Sequence, residues 1–408
     1  MPAREINVAA HHRSFWIVAC AFLLNMAFSA VPTPLYAIYA TTDGLTNVQI
    51  TLIYAVYAAG VILSLFFGGH VSDWVGRKVV FVPALLVNVL SAVIFIIWPS
   101  FTGLMVARVI SGISVGLTTA TATAYLSELH LGATADANSR RAQVIATAAN
   151  LGGIGVGPLI AGLLAQYAPF PLQLPYVVVG TAIAILAILV AVSPETAVLP
   201  EPVPPYRPQR VAVPRQARST FFGATAAGIS AFAVFGLFNS LVPSFLARTM
   251  HETSHAVAGL VAFAAFAAGA VAQIAFARWT TRMMLIRSVG IVVLGLALFT
   301  CGMWLPNVAL FIVGGIITGA GAGLLFRSAL VTAGSAASPE ARAEVLAGFF
   351  LGAYIGLSVP VIGLGIATEF WPAADALLGF VVLVIVSIIF SVRGLTRMEK
   401  MPAAAATN

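Results

Sequence analysis

Apolar residues run through this chain in long unbroken stretches, with neither the alternation of half-buried strands nor the single stripe of a soluble surface helix. Residues 78–98 and 376–392 are two such stretches. A helix needs about 20 residues to cross the hydrocarbon of a bilayer. Charges, prolines and turn residues punctuate the pattern into twelve predicted spans: 15–40, 47–70, 78–98, 102–126, 142–166, 173–193, 220–246, 256–277, 286–304, 308–331, 344–367 and 374–392. Two separators are short: Pro99 to Phe101 before span 4, and Pro306 and Asn307 before span 10. The stretch from Phe15 to Tyr39 is too long for the core of a signal peptide and reads as an uncleaved first span.

Backbone groups find no water in hydrocarbon, so spans are helices or closed barrels, and a barrel shows short alternating segments. The long runs therefore predict an all-α integral membrane protein. Composition agrees: 60% of the 408 residues are hydrophobic and 8% are charged, against roughly 25% charged in soluble domains. An ordinary soluble enzyme, a disulfide scaffold and a disordered chain are excluded. Cys20 and Cys301 both lie inside apolar runs, and the six histidines lie at span ends or outside spans. No disulfide frame, metal site or cofactor is expected.

The net charge is +7, and the placement of the basic residues explains it. With the N-terminus in the cytoplasm, Arg4, Arg13, Arg77, Lys78, Arg140, Arg141, Arg207, Arg210, Arg215, Arg218, Arg278, Arg282, Arg342, Arg393, Arg397 and Lys400 fall on the cytoplasmic side. Arg287 and Arg327 sit at cytoplasmic span ends, and among external loops only Arg248 is basic. This asymmetry predicts an even number of spans, both termini cytoplasmic, in the inner membrane. It points to anionic lipid and not to nucleic acid. Residues 194–218 hold seven prolines and four arginines, and are expected to be extended and poorly packed. They divide the chain into a bundle at 1–193, a linker at 194–218 and a bundle at 219–408, readable as structural repeats. A weak echo supports the repeat: Tyr125 to Glu128 ends span 4, and Ser338, Glu340 and Arg342 follow span 10.

The loop after span 2 carries Gly69, Asp73, Gly76, Arg77 and Lys78. Asp73 and Arg77 are spaced i,i+4, but Gly76 favours a tight turn over a continuous helix. This loop, G-x-x-x-D-x-x-G-R-R/K, strongly resembles the signature of the major facilitator superfamily, and the resemblance extends over the whole chain. It implies the major facilitator fold, twelve helices in two pseudo-symmetric six-helix bundles. It also implies a conformational latch, with Asp73 facing the start of span 11 and Arg77 paired with Glu128 at the end of span 4. The second half keeps only Gly269, Gln273 and Arg278 of this pattern.

Span 4 carries Arg108 four residues before Gly112. An arginine inside hydrocarbon costs at least about 2.5 kcal/mol and persists facing a polar interior, or by snorkelling to headgroups. In similar family members this arginine is linked to proton coupling or anion binding. Span 5 carries Gly153, Gly157, Pro158 and Gly162. Glycines four apart allow close helix approach and the proline bends the helix. The pattern resembles the antiporter motif of the drug and metabolite:proton antiporters, with Ala161 where a second glycine is usual. In that fold spans 1, 4, 7 and 10 line a central cavity, with 2, 5, 8 and 11 beside them. Asn25, Tyr36, Tyr54, Tyr57, Arg108, Asn150, Phe235, Asn239 and Tyr354 are the candidate substrate-binding residues. All thirteen acids lie at span ends or in loops, so no proton carrier is evident, and neutral or anionic substrates suit the site better than cations.

No catalytic constellation and no P-loop occurs. The chain thus reads as a monomeric secondary transporter and not an enzyme. It would move a small amphipathic molecule by alternating access, as proton-coupled efflux. The alternative is uptake, by symport or uniport, of an organic anion or other small metabolite.

Overall fold

In the computed structural model residues 8–133, 139–199, 202, 206–209, 213–337 and 341–398 are described. Arg4, Lys400 and the Ser338 and Glu340 echo lie outside them. Among the described residues twelve helices are long and apolar enough to cross a membrane, and no strand occurs. They are span 1 Val8–Thr42, span 2 Asn47–Gly68, span 3 Arg77–Ile97, span 4 Phe101–Ala133, span 5 Arg141–Tyr167, span 6 Leu174–Ala191, span 7 Arg218–Ser240, span 8 His255–Ala275, span 9 Thr281–Trp304, span 10 Val308–Ser335, span 11 Glu344–Phe370 and span 12 Ala373–Thr396.

Two of the span ends that differ from expectation, the start of span 9 and the end of span 4, have a side-chain cause. Span 9 starts at Thr281 because the Thr280 hydroxyl accepts a hydrogen bond from the Met283 amide, capping the helix before Arg282 and Arg287. Span 10 starts in the same way, with the Asn307 side chain accepting from the Leu310 amide. Span 4 runs on to Ala133, past the charged Glu128, because that carboxylate is neutralised within the bundle, as described below. Span 1 is two helices, Val8–Ala30 and Pro32–Thr42. Pro32 and Pro34 lack the amides that would continue the ladder across Val31. Span 7 is followed by a second helix, Val242–Thr249, with Pro243 at its start.

Two compact units emerge. Unit 1 holds spans 1 and 3–6, span 2 from Val56, the linker to Gln209, and the start of span 8, His255–Phe263. Unit 2 holds Thr46–Ala55, span 7, span 8 from Ala264, and spans 9–12.

Unit 1 packs around a polar knot. The Asn25 amide nitrogen donates to Ser114 Oγ at 3.2 Å and Thr118 Oγ1 at 3.0 Å, and Asn25 Oδ1 accepts from Asn88 Nδ2 at 2.9 Å. All four residues are fully buried and tie spans 1, 3 and 4 together. In unit 2 apolar rings do the same work: Phe238, Phe299 and Phe311 stack with centroids 5.2 and 4.0 Å apart. Interhelical hydrogen bonds in membranes contribute about 0.6 kcal/mol on average, and up to about 1.7. Asn25→Leu keeps the number and branching of side-chain heavy atoms but removes three of these hydrogen bonds, so a loss of about 1–2 kcal/mol and a lower melting temperature in detergent are expected. An unchanged melting temperature would show that the knot contributes no stability.

Candidate functional site

The loop between spans 2 and 3 is built by its glycines. Gly69 donates back to Leu65 O at 3.2 Å, closing span 2. A short helix, Ser72–Val75, follows and stops at Gly76, whose φ of +112° is available only to glycine. The helix restarts at Arg77, so the expected tight turn is present. The turn aims Arg77 into the bundle, where it is buried. Its Nη2 meets Glu128 Oε1 at 2.7 Å, its Nε lies 3.1 Å from Glu128 Oε2, and its Nη1 reaches Asp73 Oδ1 at 2.5 Å and Ser72 Oγ at 2.9 Å. Such forked, charge-assisted contacts are stronger than neutral hydrogen bonds. Asp73 therefore faces Arg77 within the loop as well as flanking it in sequence.

Glu195, just past span 6, completes this corner. Its carboxylate accepts from the Arg77 amide at 2.8 Å and the Lys78 amide at 3.0 Å. A carboxylate on the free amides at a helix start also meets the positive end of the helix dipole. Thr196 Oγ1 donates to Glu128 at 2.6 Å, Tyr125 OH donates to Pro194 O at 2.6 Å, and Lys78 Nζ donates to Ala191 O at 3.3 Å. Sequence reasoning missed Glu195. It is one of thirteen acids and follows the Pro194 that stops span 6, and that scarcity was the available signal.

Of the linker, residues 200, 201, 203–205 and 210–212 lie outside the described residues; Tyr206, Arg207 and Pro208 are exposed, and two hydrogen bonds reach span 2. The Gln209 amide donates to Phe66 O at 2.8 Å and Tyr206 OH to Phe67 O at 3.0 Å. These carbonyls belong to the last turn of span 2, which has no intrahelical donors for them. The Tyr206 ring lies over His70, 6.1 Å between centroids.

Arg108 turns inward rather than snorkelling outward: it is 1% exposed. Its Nη1 donates to Ser29 O at 2.5 Å, and its guanidinium lies 4.4 Å from the Tyr57 ring centroid. Ser29 precedes the break in span 1, so the cation meets a carbonyl beside a helix interruption. Tyr36, on the far side of that break, is also buried.

Span 5 crosses span 1 through its glycines. A Cβ at Gly153 would lie 2.5 Å from Leu23 O, and one at Gly157 would lie 2.0 Å from Ala27 O. Gly162 lies against His255 and Gly259 at the start of span 8. Asn150 sits in a π-turn, Ala148–Gly152, just before this glycine segment. Single π-turns within α-helices are frequent at functional positions.

The nine expected binding residues fall into separate groups. Arg108 and Tyr57 touch, and Asn25 belongs to the polar knot. Tyr54, Phe235 and Asn239 are buried in unit 2, where Phe235 stacks on Phe266 at 4.7 Å. Tyr354 is half-buried and meets Phe232 edge-on at 5.5 Å, and Phe232 lies 5.0 Å from Phe326. Phe232 and Phe326 were missed because single aromatics in apolar spans carry no local signature. Among the described residues no cluster of His, Cys, Asp and Glu could hold a metal.

Twelve candidate spans and a charged, glycine-shaped loop after the second of them are the features on which the sequence resembles the major facilitator superfamily. Residues 18–253, more than half of the chain, match the Major Facilitator Superfamily, and the chain belongs to that family. An uncharacterised MFS-type transporter of Methanocaldococcus jannaschii is 27% identical over 176 residues, 43% of each chain. The quinolone resistance protein NorA of Staphylococcus aureus is 26% identical over 171 residues, 42% of each chain. The chain thus matches less than half the length of these relatives. Among solved structures, a bacterial homologue of the human lysosomal transporter Spinster superposes with a TM-score of 0.72 at 14% identity, over 97% of this chain and 99% of that one. A mutant of the nucleoside transporter NupG gives 0.71 at 13% identity, over 95% and 100%. At these identities the likeness is one of fold. The protein is therefore a multi-pass membrane protein of the transporter family that residues 18–253 match.

Proposed function

We propose that this transporter exports a small amphipathic molecule in exchange for protons. The observation that carries the reading is the crossing of spans 1 and 5. The glycine and proline segment resembling the antiporter motif presses backbone to backbone on span 1, below the break that Arg108 holds through Ser29. A substrate that displaces Arg108 from the Ser29 carbonyl would act on that crossing. The likeness to NorA, named for quinolone resistance, supports efflux of lipophilic compounds. Residues 1–193 and 219–408 would be the two moving bundles, joined by 194–218, in the inner membrane with both termini cytoplasmic, and the protein would act as a monomer. Gly69, Asp73, Gly76, Arg77, Lys78 and Glu128 would form the latch released in each cycle.

Uptake of an organic anion is the second reading, favoured by the burial of Arg108 and by the scarcity of acids, thirteen in all, along the sequence. Purified protein in liposomes under an imposed pH gradient separates the two. Lipophilic compounds moving opposite to protons, with exchange at least tenfold slower in Arg108→Ala and partly restored in Arg108→Lys, is the expected result. Substrate and protons moving together, or flux with no proton movement, would overturn efflux by antiport and make Arg108 the anion ligand.

A further inference from the structure

Between Glu252 and Glu340 the sequence contains Arg278, Arg282, Arg287 and Arg327 and no acidic residue. Three of these arginines, Arg278, Arg282 and Arg287, follow one another around the turn between spans 8 and 9. Span 8 ends at Ala275, a short turn carries Arg278 and Trp279, and Thr280 caps the start of span 9. The Arg287 guanidinium lies over the Trp279 ring, 4.5 Å from its centroid. Trp279 and Phe276 are in turn packed on Ala272, Met284 and Leu324, so the corner is held by spans 8, 9 and 10 of one unit. Arg278, Arg282 and Arg287 are all exposed.

Arg287 is the unusual member. Met283, Ile286, Arg287, Gly290 and Leu294 are all exposed, at the i, i+3, i+4, i+7 and i+11 spacing of one helix stripe. That stripe is otherwise apolar, and it lies on a helix long and apolar enough to cross a membrane, which suits it to acyl chains. Arg287 stands six residues into the helix, about 9 Å along its axis. Span 8 repeats the arrangement: exposed Val271, Ile274 and Ala275 lead down to exposed Arg278. Two apolar tracks thus end in arginines at the same boundary. Hydrocarbon cannot solvate a guanidinium, whereas a phosphate diester at the headgroup level accepts its planar fork of donors.

We propose that this corner is a binding site for one anionic glycerophospholipid. Its phosphate is held by Arg278, Arg282 and Arg287, and its acyl chains lie along the two apolar tracks. The charge selects the headgroup. A zwitterionic lipid brings an amine, and the stretch from Glu252 to Glu340 supplies no carboxylate to receive it. The indole under Arg287 holds the guanidinium flat at the interface. The site concerns the outer face of spans 8 and 9, so it stands apart from the direction of transport and from the substrate.

Native mass spectrometry of the detergent-purified protein, titrated with phosphatidylglycerol or phosphatidylcholine, tests it. The wild type is expected to retain one phosphatidylglycerol at least fivefold more strongly than phosphatidylcholine. Arg287→Gln should abolish that preference. Arg278→Lys with Arg282→Lys and Arg287→Lys, which keeps the charges that set topology, should reduce it at least threefold. Circular dichroism and gel filtration confirm that each variant is folded. Equal retention of the two lipids by the wild type, or an unchanged preference in Arg287→Gln, would overturn the proposal. Displacement of the lipid by millimolar inorganic phosphate would overturn the lipid as occupant and leave a free-anion site.

Discussion

Arg77→Ala is expected to lower transport in liposomes at least tenfold and to destabilise unit 1 by about 2–3 kcal/mol. Breaking a fully buried ion pair by removing one partner costs about 3–5 kcal/mol. The Glu128 side chain is 29% exposed, so water offsets part of that penalty. The loss exceeds one ion pair because Arg77 also carries Asp73 and Ser72, so its removal frees the short helix before Gly76 as well. Arg77→Lys separates charge from geometry. Lysine keeps the charge but cannot fork to Glu128 while reaching Asp73, so it should recover stability better than turnover. Wild-type turnover in Arg77→Lys would show that the fork has no part in the cycle.

Gly157→Val should be among the most damaging single changes in the membrane core. The new Cβ would fall 2.0 Å from the Ala27 carbonyl oxygen, and backbone cannot swing away as a flexible side chain can. Spans 1 and 5 would have to separate. Overpacking of a core costs about 1–3 kcal/mol even where side chains can adjust. Little folded protein, or a melting temperature lower by more than 10 °C, is the expected readout. The neighbouring Ala161→Gly provides the control. It restores the glycine usual in the antiporter pattern and should cost about 1 kcal/mol or less through helix propensity alone. Normal folding of Gly157→Val would mean that the span 1–span 5 crossing is looser than its backbone contact indicates.

The spans were legible because a bilayer imposes one strong rule, and charge and proline obey it. Where the rule misled, a local neutralisation was hidden. Glu128 looks like the start of a loop until Arg77 and Thr196 are placed beside it, and then span 4 can continue to Ala133. Arg282 looks like a loop residue until Thr280 is seen capping span 9 ahead of it. The turn at Gly76 was readable because a glycine between an acid and two bases is itself a backbone instruction. The partners of Asn25 were not. Asn88 and Ser114 lie on other spans, and nothing local to Asn25 separates a residue that binds helices from one that binds cargo. The aromatic group of Phe232, Phe326 and Tyr354 is hidden for the same reason: each member is ordinary in its own span.

Glu195 has a consequence for how motion in this molecule can be measured. Its carboxylate fastens the first amides of span 3 to the end of span 6, Lys78 fastens the same two segments through the Ala191 carbonyl, and Tyr125 of span 4 adds a hydrogen bond to the Pro194 carbonyl. Exposed Val79 and Val192 stand on the two sides of this joint. Spectroscopic labels at that pair would mark a fixed baseline inside one bundle. Distances from either label to other sites could then be read as displacement of the remaining helices, free of any internal breathing of the reference.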